Sequence, residues 1–133
     1  MFNFFSPFFA PAGEIRNSGL VAPELQIATE YQNTFITNYF FILAFNWNSA
    51  EPNPGADDVL IDIAEEIAVA DDTDALVDLV VDKLLGGQIS ATLRAETVQM
   101  VDRVRTALPD NDAALAAEAI YFIVTSPEFA YQR

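Results

Sequence analysis

Between Pro23 and Phe45, apolar side chains return at three- and four-residue intervals, at Leu25, Ala28, Tyr31, Phe35, Tyr39 and Leu43, which is the repeat of a helix. Pro23 suits the first turn through its fixed φ, and Glu24 sits near the positive end of the macrodipole. Phe35, Ile36, Phe40, Phe41 and Ile42 spread apolar surface over more than one side, so a helix over 23–45 needs several neighbours to bury it. A chain that carries such a helix has to supply others to cover it.

The rest of the sequence does so. Residues 46–58, dense in Asn, Pro, Gly and Asp, read as a loop. In residues 59–70, Val59, Ile61 and Ile63 alternate like a strand while Leu60, Ile63 and Ile67 fit a helix; a short helix after an extended lead-in satisfies both. Asp72 or Thr73 can cap a helix running to Leu85, where Gly86-Gly87 supplies a left-handed terminator. Ser90 caps another from about Ala91 to Leu108, with Pro109 after its end. Asp110 or Asp112 opens a last helix to about Thr125, stopped by Ser126-Pro127 because a residue before proline is pushed out of the α region. The spacing thus predicts an all-α bundle of about four to five helices over residues 23–133. Residues 1–22 form an irregular Phe/Pro-rich arm. Its Phe2, Phe4, Phe5, Phe8 and Phe9 can each bury about 150–250 Å² and need a surface to dock on, which makes them the candidate partner-binding residues.

Composition narrows function chiefly by exclusion. At 133 residues and 52% hydrophobic, the chain builds one core and is not a disordered tail. Its 20 carboxylates against 6 basic side chains give a net charge of −14, which repels phosphate backbones and anionic lipid surfaces. With no cysteine and no histidine there are no disulfides, no Cys/His zinc sites and no imidazole-based triads. The longest apolar run, Tyr39 to Phe45, is far shorter than the roughly 20 residues that span a bilayer, so membrane insertion is not expected. The amino-terminal stretch lacks a basic region and is interrupted by Pro7 and Pro11, unlike a signal peptide.

The segment from Asp57 to Asp82 holds ten carboxylates and no basic residue. Asp72-Thr73-Asp74 begins like an EF-hand loop, but Val77 stands where the glycine belongs and Lys83 where the bidentate glutamate belongs. Asp71, Asp72, Asp74 and Asp78 are therefore only weak metal candidates. Asp74, Asp78 and Asp82 share one helix face and read as a solvated, self-repelling stripe. Glu65-Glu66 and Asp57-Asp58 are poor acid–base pairs, because neighbours on a helix diverge by about 100°. Trp47, Tyr39 and Tyr31 could form a ligand platform, although their helical spacing favours core. Arg94, Arg103 and Arg105 could clamp an anion, with intrahelical pairing to Asp102 and Glu96 the simpler reading. No catalytic residue and no cofactor follow from these patterns.

Three segments in order carry a resemblance. They are Phe2–Glu30 with its Phe2-Asn3-Phe4-Phe5-Ser6-Pro7 and Pro23-Glu24-Leu25-Gln26, then Leu84–Arg94, then Ala117–Gln132 with its Ser126-Pro127-Glu128-Phe129. Together they resemble the carboxy-terminal third of the bacterial family called domain of unknown function 1800. The resemblance implies a long, mostly helical, commonly exported protein without an established reaction, and hence an extracytoplasmic location. It also implies a further portion before Met1. Where relatives commonly carry a basic residue about one turn before the Glu118-Ala119-Ile120-Tyr121 segment, this chain has Leu115 and Ala116, which puts an ion pair there in doubt. The expected role is a structural or interaction module of a larger exported protein, packing or assembling through its aromatic arm and long helix and partnered by a second copy or by that further portion. Two alternatives stand beside it: a non-catalytic wall of an enzyme cleft completed elsewhere, and cation-dependent assembly through the acidic stretch.

Overall fold

The computed structural model describes residues 6–26, 30–50 and 54–130. In chain order these hold α1 (Glu14–Asn17), a 3-10 turn (Pro23–Gln26), α2 (Glu30–Phe45), α3 (Ala64–Ala68), α4 (Thr73–Leu85), α5 (Ala91–Ala107), α6 (Asp112–Val124) and α7 (Pro127–Ala130). Among the described residues there is no strand, only an isolated parallel bridge between Asn48 and Ile61, so the protein is all-α as the spacing predicts. It divides into two compact units, residues 1–38 and 39–133, with the division inside α2.

In the second unit α6 packs against α3, α4, α5 and α7. Its sequence explains why it takes the central place. Ala116, Ala117 and Ala119 are buried and let neighbours approach closely, while Leu115 and Ile123 are fully buried and fill the space between them. α4 contributes Leu76, Val77 and Val80 to the same core, and α5 contributes Val101 and Thr97, whose hydroxyl is satisfied by the Leu93 carbonyl at 2.8 Å. α4, α5 and α6 begin at side-chain caps. Asp72 accepts from Ala75 N–H at 3.1 Å, Ser90 from Leu93 at 3.1 Å and Asn111 from Ala114 at 3.0 Å. Asn111, rather than Asp110 or Asp112, opens α6. Gly86, at φ 59°, ends α4 in the left-handed region that a side chain would strain.

Two helix boundaries differ from the sequence-based expectation. Pro23–Gln26 closes only a 3-10 turn, and α2 starts at Glu30 instead of Pro23. Proline at the first position serves either kind of turn, because neither uses its missing N–H. At the other end, Ser126-Pro127 stops α6 as expected but also starts α7. Pro127 is the first residue of that helix, and the buried Ser126 hydroxyl accepts from Phe129 N–H at 3.3 Å. Glu128 then reaches α5, accepting from Ser90 N–H at 2.9 Å and from its hydroxyl, while Phe129 packs on the core. Ser126-Pro127-Glu128-Phe129 is thus a knot that fixes α7 to the start of α5.

In the first unit the arm is more ordered than its lack of periodicity suggests. Gln26 brackets Ser6, accepting from its N–H and donating to its carbonyl, both at 3.2 Å. Ala22 N–H donates to Phe9 O at 2.8 Å, and the Arg16 guanidinium donates to Ala10 O at 2.6 and 3.1 Å. Phe8 is 83% exposed and Phe9 is partly buried; Phe2, Phe4 and Phe5 lie outside the described residues.

Two carboxylates give the fold opposite responses to acid. The hydrogen bonds from Ser90 hold Glu128 below its ordinary value of 4.5. It contributes stability that is present above that value and lost as pH falls through the lowered one. Burial pushes Glu118 above 4.5, so it opposes folding once pH rises past its ordinary range. Glu118→Gln is expected to raise the melting temperature at pH 7 and to lose that advantage below pH of about 4, whereas Glu128→Gln lowers it at pH 7 with a difference that also shrinks in acid. Thermal melts by circular dichroism at the two pH values check both signs.

Candidate interaction surface

The carboxy-terminal half of α2 is held from one side. Phe40 meets Phe129 edge-on at 6.2 Å; Phe41 and Phe45 lie 4.8 Å apart, and each meets Tyr121 at 5.8 Å. Ala44 between them is 2% exposed. At about 100° per residue, Phe40, Phe41, Ala44 and Phe45 share one side of the helix. The other side of this half carries Tyr39, Ile42 and Leu43; Tyr39 is 46% exposed and Ile42 40%, Leu43 is partly exposed, and Phe41 on the packed side is also 46% exposed. In the first unit Phe35 is 57% exposed and Ile36 48%.

The chain after α2 is fixed by its own hydrogen bonds. The buried Asn48 side chain caps the helix by donating to Ala44 O at 2.7 Å and accepting from Ala50 N–H at 2.9 Å. Ser49 N–H donates to Ile61 O at 2.8 Å, Ile61 N–H to Trp47 O at 2.9 Å, and the Ser49 hydroxyl accepts from Ile63 N–H at 3.0 Å. Trp47 is left about half exposed and Val59 almost wholly so. The expectation that Tyr39 and Trp47 belong to the core is therefore corrected. Spacing shows that a helix is apolar on two sides, not which side meets a neighbour. The side chain of Tyr31 lies outside the description.

A cavity of about 230 Å³ opens between Phe45, Asn48, Ala50 and the first turn of α6. Its two amide residues are engaged in capping, Asn48 on α2 and Asn111 on α6, and the remaining walls are mainly alanine.

The acidic segment is organised by cations from other helices. Arg94 of α5 donates to Asp74 and, through Nε, to Asp78, both at 2.9 Å, so these two carboxylates do not form a purely solvated, self-repelling stripe. Hydrogen bonding to Asp78 and then Asp74 holds the Arg94 guanidinium above its ordinary value. Asp72 is the α4 cap and Asp71 is exposed; among the described residues no three acidic side chains are grouped to hold a metal ion. The intrahelical pairing expected for the arginines is also corrected. Arg103 donates to Gln99, whereas Arg105 reaches across to the Ala70 carbonyl and the Thr73 hydroxyl, and Thr73 in turn donates to Asp102 at 2.7 Å. These three side chains tie α4 to α5 or brace α5 itself, and do not converge as an anion clamp. Asp58 closes a turn by accepting from Gly55 N–H at 2.7 Å.

Glu65 and Glu66 converge after all, but on a cation. Lys83 Nζ lies 2.7 Å from Glu65 Oε2 and 2.9 Å from Glu66 Oε1. A long ammonium side chain placed between two diverging carboxylates can reach both, which sequence spacing does not reveal. The Glu66 side chain is 5% exposed, and its Oε2 has no hydrogen-bond partner. No protein-family model matches the chain, and neither does any curated protein or solved structure.

Proposed function

We propose that this chain is a non-catalytic interaction module that packs on a protein partner through the aromatic arm of residues 1–22 and the long helix α2. The observation that carries the reading is the number of large apolar side chains that stay exposed within each unit: Phe8, Leu20, Phe35 and Ile36 in the first, Tyr39, Phe41, Ile42 and Trp47 in the second. Exposed apolar surface on this scale is costly in water and is commonly covered by a partner. The polar clusters point the same way, since Asp74, Asp78, Glu65 and Glu66 are engaged with Arg94 and Lys83 and leave no convergent acid–base pair among them. The setting implied by the resemblance to domain of unknown function 1800 is a larger exported bacterial protein. That setting belongs to the proposal.

Photocrosslinking in the producing cells tests it. A photoreactive residue placed at Ile36 or at Ile42 is expected to give discrete protein adducts, and one at the exposed Glu96 of α5 is not. Absence of adducts at both α2 positions, or equal adducts at Glu96, overturns the reading.

A further inference from the structure

Within the second unit, residues 58–62 carry a backbone edge that the fold leaves unpaired. Ile61 sits in the isolated parallel bridge, its N–H donating to the Trp47 carbonyl at 2.9 Å and its carbonyl accepting from Ser49 N–H at 2.8 Å. Both of its backbone groups thus turn toward residues 47–49. In extended chain the neighbours on either side turn theirs the opposite way. Those neighbours are Leu60 and Asp62, and among the described residues nothing hydrogen-bonds to the N–H or the carbonyl of either one. Two donors and two acceptors stand at strand spacing on the open side of the bridge, where an extended peptide can add as a further strand.

The side chains along this edge select the peptide. Val59 and Ile61 lie on one face, and Val59 is 89% exposed, more than any other large apolar side chain described. Asp58, Leu60 and Asp62 alternate with them on the other face, the two carboxylates about 13 Å apart in extended chain. Asp58 accepts from Gly55 N–H at 2.7 Å and Asp62 from Ala64 N–H at 3.0 Å, but among the described residues no lysine or arginine pairs with either. A second copy adding through the same edge would set these carboxylates against their own kind, which repels it. An extended segment with basic side chains on one face and apolar ones on the other satisfies both faces and the backbone between them.

We infer that the free edge of residues 58–62 binds a basic, extended segment of a partner protein by strand addition, with lysine or arginine lying on Asp58 and Asp62 and β-branched side chains on Val59 and Ile61. This goes beyond the reading of the arm and α2 and does not depend on it. The probe is the capped heptapeptide Lys-Val-Lys-Val-Lys-Val-Lys, titrated into the purified full chain and followed by the fluorescence of Trp47, the single tryptophan, whose carbonyl is bonded to Ile61. Binding with a Kd of about 10–100 µM that weakens with salt is expected. Asp58→Asn/Asp62→Asn keeps both side-chain acceptors while removing both charges, and should weaken binding at least about tenfold. Asp71→Asn/Asp82→Asn removes the same charge from two other exposed positions and should weaken it less than about threefold. Circular dichroism checks that both variants keep the parent's helix content.

Charge attraction alone is separated from strand addition by two further measurements. In the saturated complex, hydrogen exchange at the Leu60 and Asp62 amides should slow at least about tenfold, because each then donates to the peptide or is covered by it. The heptapeptide Lys-Pro-Lys-Pro-Lys-Pro-Lys has the same charge but lacks every second N–H and resists pairing, and should bind at least about tenfold more weakly. Absence of binding at about 1 mM valine peptide, equal binding of the proline peptide, unchanged exchange at both amides, or equal losses in the two aspartate double variants overturns the inference.

Discussion

Leu115→Ala is expected to lower stability by about 3–5 kcal/mol, a large part of the 5–15 kcal/mol typical of a whole domain. Leu115 is 0% exposed and sits on α6, the helix that meets α3, α4, α5 and α7. Its flanks are Ala116 and Ala119, both 0% exposed, which have no side-chain length with which to collapse into the space left by the deleted atoms. The cavity term therefore adds in full to the lost transfer energy. Leu108→Ala removes the same atoms at the end of α5, where the side chain is 47% exposed, and should cost less than about 1 kcal/mol. Urea unfolding of the two variants, followed by circular dichroism, separates them; equal losses would mean that α6 is not the centre of the core.

What the sequence shows about this fold is strongest where one residue does a local job. Ser90 and Gly86 cap or end helices within a turn of themselves, and each could be read from its type and position alone, whereas Asp72 and Thr73 stood as equal candidates until the structure showed the Asp72 side chain accepting from Ala75 N–H. The bundle class was legible for the same reason: caps and terminators bracket apolar repeats of helical period. The start of α2 was not, because Pro23-Glu24 suits a 3-10 turn as well as an α-helix. α7 was hidden by a proline whose two roles, stopping one helix and starting the next, fall on adjacent residues. The side-chain partners were hardest. Arg94 lies 16 and 20 residues from the aspartates it bridges, and nothing local distinguishes them from Asp102 or Glu96, which are closer in sequence. The exposed side of α2 could not be told from a buried one either, since a Phe or Ile contributes the same signal to both. The sequence thus pointed to the arm and the long helix as assembling segments, and the structure shows which of their side chains stay exposed.

Lys83→Met is expected to cost about 2–3 kcal/mol, and the reason lies in what it leaves behind. Glu66 stays in place with its side chain 5% exposed, its Oε1 deprived of the ammonium at 2.9 Å and its Oε2 already without a hydrogen-bond partner. Breaking a buried pair commonly costs about 3–5 kcal/mol, but the Lys83 side chain is 38% exposed, so water screens part of the interaction and the lower figure applies. Glu65→Gln removes a carboxylate that is 75% exposed, and should cost no more than about 0.5 kcal/mol although its contact is the shorter one at 2.7 Å. Hydrogen bonds to Glu65 and then Glu66 hold Lys83 above its ordinary value of 10.5. Its contribution is therefore fully present below that value and lost only as pH rises through the raised one, so the cost of Lys83→Met should be flat from neutral pH to about 9. Adding Glu66→Met to Lys83→Met removes the stranded charge and fills its place with apolar volume between α3 and α4. The double variant should recover most of the loss, because two well-packed apolar groups often match a buried ion pair. Denaturant melts of the single and double variants form a cycle that isolates the coupling. If Lys83→Met costs no more than Glu65→Gln, Glu66 is compensated by something other than the ammonium, and α3 is not held to α4 by this pair.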